Sequence, residues 1–159
     1  YLEGDATLER MFTRPKSKIL HIASHGYFDP AEPNASGLML GGPKGLPRNL
    51  TVLDILDKQI AGNLTVVSAC ESGLGSLSRG DEIVSLNRAF FIAGAKKVIS
   101  SFWRISDVAS AVTMKRFYRY LASSSDIDGS LSHAQKDVRR YFAHPAFWAA
   151  FKVSGSTGQ

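Results

Sequence analysis

Leu64-Thr-Val-Val-Ser-Ala-Cys70-Glu-Ser-Gly73 is the stretch on which the reading of this chain turns. Leu64 to Cys70 carries no charge and is rich in β-branched residues. Gly62-Asn63 precedes it and Gly73 follows. A short apolar run bounded by turn formers reads as a strand buried on both faces, the habit of a parallel sheet. Two further runs resemble it. Lys18-Ile-Leu-His-Ile-Ala-Ser24 ends at His25-Gly26, and Lys96-Lys-Val-Ile-Ser-Ser-Phe-Trp103 lies downstream.

Helical patterns fill the intervals. Residues from Leu2 to Phe12 are helix-like. Thr51 to Lys58 sets Val52, Ile55 and Leu56 on one side. Asp81 reads as an N-cap, with Ile83, Leu86 and Phe90 at helical spacing to about Ala93 and a stop at Gly94. Ser106 or Asp107 caps a helix that packs through Met114, Phe117, Tyr118 and Leu121. After a linker over Ser123 to Gly129, a last helix aligns Leu131, Ala134, Val138 and Phe142 and stops at His144-Pro145. Leu38-Met-Leu40 reads as a short strand within turn-rich sequence, Phe147 to Val153 as a closing strand, and Ser154 to Gln159 as a disordered tail. Strand and helix alternate, which predicts an α/β architecture: a mostly parallel sheet with helices on both faces. The domain is expected over residues 1–153, with 154–159 as the tail.

Bulk composition narrows the function classes. The chain has 159 residues, 44% of them apolar and 21% charged, an ordinary globular balance. Nineteen basic residues face 14 acidic ones, for a net charge of +5. They are dispersed along helices, as in Lys115, Arg116 and Arg119, or Lys136, Arg139 and Arg140, which reads as solvated faces rather than a nucleic-acid patch. No apolar run reaches the roughly 18 residues of a membrane span, and no signal-peptide pattern opens the chain. Cys70 is the single cysteine, so no internal disulfide or cysteine-rich zinc site can form, and a reducing, cytoplasmic setting is expected. No Gly-rich loop followed by Lys-Ser/Thr succeeds a strand, which argues against a phosphate-binding protein.

The chemistry is expected at the carboxyl ends of the parallel strands. His25 ends the first strand and Cys70 ends the second. If those strands are neighbours, thiol and imidazole emerge at one sheet edge. A thiolate is the nucleophile and free cysteine is mostly protonated at neutral pH. An adjacent histidine takes the proton and later delivers it to a leaving amine. Main-chain N–H groups of Gly26 and Cys70 are candidate donors to the oxyanion. A lone cysteine in a strand is also an ordinary core residue, so the pattern by itself leaves both readings open.

Six segments, taken in order, resemble the CHAT domain, a caspase-like domain associated with tetratricopeptide repeats. They are His21-Ile-Ala-Ser-His25-Gly26, Val66-Val-Ser-Ala-Cys70-Glu-Ser-Gly73, Arg79-Gly-Asp-Glu82, Arg88-Ala-Phe-Phe-Ile-Ala-Gly-Ala95, Ser101-Phe-Trp103 with Asp107, and His144-Pro-Ala-Phe-Trp-Ala-Ala150. The resemblance implies a caspase-like three-layer sandwich, in the clan of caspases, metacaspases and separases. It implies His25 and Cys70 as a catalytic dyad, and both are present. It also implies that the chain is the catalytic C-terminal part of the domain and lacks an upstream portion. Trp103-Arg-Ile-Ser-Asp107 is similar to a separase tract whose acid binds a basic side chain before the cut. Asp107 is therefore either a substrate-binding acid or a helix cap. Asp81 and Glu71 border the same edge as further candidates.

The expected activity is that of a cysteine endopeptidase acting through an acyl-enzyme on a protein or peptide, with a basic preference and no metal or organic cofactor. The alternative is a signalling or interaction module of a larger repeat-containing protein that kept the fold without turnover.

Overall fold

A computed structural model describes residues 6–13, 17–27, 32, 35–42, 46–71 and 81–155. Six strands form one sheet: β1 (Ile19–Tyr27), β2 (Gly37–Leu40), β3 (Arg48–Thr51), β4 (Leu64–Glu71), β5 (Lys97–Ser101) and β6 (Phe151–Gly155). Among the described residues five α-helices accompany it: α1 (Leu8–Thr13), α2 (Val52–Lys58), α3 (Asp81–Ile92), α4 (Asp107–Ser124) and α5 (Ile127–Arg139). The strand order is β3-β2-β1-β4-β5-β6. β4 is parallel to both neighbours, β1 and β5, while β2 and β6 run antiparallel beside them and β3 antiparallel to β2. Four strands thus point one way, and the mostly parallel α/β sheet predicted from sequence is what forms.

Two cores lie on opposite faces. On one, Leu20, Ile22, Val67 and Val98 meet Leu8, Ile55, Ala89 and Phe90 from α1, α2 and α3. On the other, Leu64, Val66 and Ile99 meet Ala109, Met114, Phe117, Leu131 and Ala134 from α4 and α5. Three layers result, in keeping with a caspase-like fold. Leu64, Thr65, Val66 and Val67 of β4 are all buried, so this strand is the spine of both cores. β1 differs: its burial alternates, with Leu20 and Ile22 inside and Ile19, His21, Ala23 and His25 exposed. The α4–α5 layer covers β4 and β5 but leaves β1 as an open shelf.

Helix α4 is seated on that face by two polar contacts. Ser110 Oγ lies 2.7 Å from Ser68 Oγ of β4, and the Tyr118 hydroxyl lies 2.9 Å from His21 Nδ1 of β1. The rings of Tyr118 and His21 also meet, at 5.6 Å between centroids.

Several expected boundaries move. The first helix is confined to Leu8–Thr13; residues 2–5 lie outside the described residues. The first strand continues to Tyr27, because antiparallel pairing with β2 (Gly26↔Leu38, Tyr27↔Gly37) carries it past the glycine. His25, expected as the last residue of the strand, is followed in it by Gly26 and Tyr27. β3 is an addition to the expected strands: Leu50 alone fills its core side, fully buried, while Arg48 is exposed. Its partner Gly37 lies so close that a Cβ there would meet Leu50 O at 2.0 Å. Thr51 both ends β3 and caps α2, in a capping box with Asp54. Asp81 is the first helical residue of α3 rather than a residue before it. β5 stops at Ser101, short of Trp103.

The linker expected over 123–129 shrinks to two residues, since α4 runs to Ser124 and Asp126 caps α5 by accepting from Gly129 N–H. Helix α5 ends at Arg139, so Phe142 lies beyond it, partly buried against the same core. The stretch from Phe147 is no strand at its start. Pro145–Phe147 makes a 3-10 turn capped by His144, whose Nδ1 accepts from Ala146 N–H at 3.2 Å. The closing strand begins at Phe151, and Ser154 and Gly155, placed in the tail by sequence, pair with Val98 and Lys97. Residues 156–159 lie outside the described residues, as do 72–80.

Two measurements test this packing. Phe117 is fully buried beneath α4, so Phe117→Ala should cost about 3–5 kcal/mol in denaturant unfolding; a loss below about 1 kcal/mol would contradict its place in the core. The second concerns pH. Burial lowers the His21 pKa below its ordinary 6.5 and pushes the Tyr118 hydroxyl up to about 12. Solvent still reaches the outer edge of His21, which limits the size of the effect; the side packed under Tyr118 sets its sign. The unfolded chain takes up a proton at His21 before the folded chain does. Stability from this site is complete above the ordinary histidine value and is lost as pH falls from there through the lower folded value. His21→Gln should therefore flatten the decline in unfolding free energy between about pH 7 and about pH 5. Equal slopes in both proteins would refute the assignment.

Candidate active site

The register of β1 on β4 runs without a break from Ile19↔Leu64 to Gly26↔Glu71, and in it His25 is the direct partner of Cys70. The two residues come from adjacent parallel strands near the sheet's centre, close to their carboxyl ends. That is where an open α/β sheet gathers its functional groups. Partners in a parallel ladder share pleat parity, so positions 25 and 70 fall in the class of His21, Ala23, Val66 and Ser68. This is the class whose face carries α4. The His25 side chain is exposed on the open shelf of β1 and makes no side-chain hydrogen bond or ion pair among the described residues. The side chains of Cys70 and Glu71 and of residues 81–85 lie outside the described residues, so the sulfur–imidazole distance and the surroundings of Glu71 and Asp81 do too.

Helix α4 rises along this face and ends its upward course at Asp107. Positions 107, 110, 114, 118 and 121 form one helical stripe. Within it Ser110 touches β4 and Tyr118 touches β1, so the stripe faces the sheet. Asp107 stands one turn above Ser110, about 4.5 Å along the helix axis. Cys70 stands two residues above Ser68, about 6.6 Å along the strand. The acid and position 70 are therefore at similar height on the same side of the sheet.

Of the two residues offered as the cap of α4, Ser106 takes that position and Asp107 is the first helical residue, an acid in the first turn. The cap is Ser106, whose side chain accepts from Ala109 N–H at 3.2 Å. Asp107 is exposed and has no side-chain partner among the described residues. Gly26 belongs to the ladder on both sides, opposite Leu38 and Glu71.

Other residues around this edge escape sequence reasoning. Ser101 Oγ donates to Ala69 O at 2.9 Å, and Ser68 meets Ser110 as above. Serines within apolar strands carry no distinguishing pattern, and only the packed sheet reveals their partners. Phe102, Trp103 and Val108 are exposed at the same carboxyl edge. Trp103 is held by its indole N–H, which donates to Ala146 O at 3.0 Å. His133 lies exposed on α5, with Nδ1 at 2.8 Å from Gly129 O, away from this edge. Among the described residues no group of three His, Cys, Asp or Glu is arranged to hold a metal ion, and no helix is long and apolar enough to cross a membrane.

Comparison with known proteins agrees with the architecture. The CHAT domain profile matches residues 1–156. Over 109 residues, 67% of this chain, the sequence is 35% identical to tetratricopeptide repeat protein 28 of Mus musculus and 33% identical to its Homo sapiens counterpart. The matched stretch spans only 4% of either relative. With a profile match across nearly its whole length and a three-layer sheet of the expected kind, the chain belongs to the CHAT domain family.

Proposed function

We propose that this chain is a cysteine endopeptidase in which Cys70 is the nucleophile and His25 the general acid–base. The observation that carries the proposal is the β1–β4 register, which pairs these two residues near the carboxyl edge of the sheet, with the His25 side chain exposed. Membership of a caspase-like family supports the same reading.

The steps follow from the chemistry of the pair. His25 takes the thiol proton, and the sulfur attacks the scissile carbonyl carbon. Main-chain N–H groups of Gly26 and Cys70 are the proposed donors to the resulting oxyanion. The C–N bond breaks as His25 returns its proton to the leaving amine, which leaves a thioester on Cys70. Water then attacks that thioester. His25 accepts a proton from the water and hands one back to the departing sulfur, so thiol and imidazole are regenerated. No metal or organic cofactor enters.

Asp107 supports a preference for arginine or lysine before the cut. Its carboxylate is exposed, relieved of capping by Ser106, and level with position 70. A guanidinium brought there gains a charge-assisted pair. Asp81 and Glu71, near the same edge in sequence, are proposed to add negative charge around it. We further propose that the natural substrate is a protein, that the chain works within a larger repeat-containing protein, and that its compartment is the reducing cytoplasm its lone thiol suits.

The test uses reporter peptides with Arg or Lys before the cut, together with a thiol-reactive probe. Wild-type protein should cleave and label. Cys70→Ala should do neither, and His25→Ala should lose about 10²–10⁴ in kcat. Asp107→Ala should weaken use of the Arg peptide by about 10–100-fold in kcat/KM, the value of a lost charge-assisted contact. A wild-type thiol that neither labels nor cleaves, in this chain alone or with upstream sequence attached, would sink the peptidase and leave an interaction module in its place.

A further inference from the structure

The strand that carries Cys70 loses half of its support just before it reaches that residue. The β4–β5 ladder ends at the pair Val67↔Ser100, whereas the β1–β4 ladder continues to Glu71. From Ser68 onward β4 is paired, among the described residues, on the β1 side only. Main-chain groups that a neighbouring strand would otherwise satisfy need other partners, and a strand held on one side is free to shift or twist away from its remaining partner.

Two serine hydroxyls stand where the ladder stops. Ser101, the last residue of β5 and nearly fully buried, donates from Oγ to Ala69 O at 2.9 Å. This bond substitutes for the missing ladder on the β5 side. Ser110 of α4 meets Ser68 Oγ at 2.7 Å from the helical layer. The two contacts grip consecutive residues, 68 and 69, immediately before Cys70, and they approach from different elements. The end of β5 is itself fixed, since Asn87 of α3 donates to Ser100 Oγ at 3.0 Å and Ser101 still pairs with Phe151 of β6.

We propose that Ser101 and Ser110 are positioning residues that hold the last turn of the pleat before Cys70, so that position 70 stays opposite His25. The proposal rests on the peptidase reading above. Neither hydroxyl is assigned a contact with substrate. Their effect is on where the attacking sulfur starts, and small displacements of a reacting group are costly in rate.

The experiment compares Ser101→Ala and Ser110→Ala with wild type for kcat, KM, the rate of Cys70 alkylation and the thermal midpoint. Each variant should lower kcat about ten-fold, the upper range for one net hydrogen bond, with KM within about two-fold, the mark of an interaction felt after binding. Alkylation should slow alongside kcat. Ser110→Ala also places the best helix former inside α4, which offsets part of the lost Ser68 contact, so its thermal midpoint should fall by no more than about 2–4 °C while turnover falls, which separates positioning from folding. Variants that keep wild-type kcat overturn the positioning role alone and leave the peptidase standing. So does a kcat loss accompanied by a matching loss of thermal midpoint in both variants. A wild-type protein without cleavage or labelling overturns the peptidase, and the positioning role with it.

Discussion

The parallel pairing of β1 with β4 is the constraint on which this molecule depends. It joins the two cores, because β4 buries side chains on both faces while β1 buries only one. It also sets the pairing of His25 with Cys70. A one-residue slip would turn Leu20 and Ile22 out of the core and bring exposed residues in. The hydrophobic cost of that slip protects the pairing of positions 25 and 70. Fold and candidate chemistry thus draw on one register.

Helix α4 acts as a second ruler laid against the first. Its contacts with Ser68 and His21 fix its height and its rotation, and Asp107 takes its place from them. Ser106 supplies the cap that a helix start requires, so the acid beside it is spared that duty. The open shelf of β1 leaves that face of the strand uncovered alongside the helix. A layer that covered β1 as fully as it covers β4 would have sealed the imidazole.

Much of this is legible in sequence, for physical reasons that differ by element. β4 announces itself because a strand buried on both faces is an uncharged, mostly apolar run rather than an alternating one. The helices announce themselves through stripes and stops, including Gly94, whose φ of +106° no β-branched residue adopts comfortably. The short edge strand β3 does not, since Arg48-Asn-Leu-Thr51 commits one residue to the core and its pairing is a tertiary event. The aromatic run from Phe147 misleads for the opposite reason. Phe147 packs near Phe142 and His144, so its apolar character serves a turn rather than a strand. His25 and Cys70 are reached through strand ends and family resemblance. The hydroxyls that brace the edge are not, because serine in a strand has no signature until its neighbours are known.

The His25–Cys70 partnership spans forty-five positions of chain, and every intervening element must be made before the second strand can dock beside the first. Non-local parallel pairings of this kind form late, after their loop-closure entropy has been met. During synthesis, the emerging polypeptide therefore holds β1 for a long interval before β4 is available to pair with it. Positions 25 and 70 come together only once the hydrophobic interior has closed around β4.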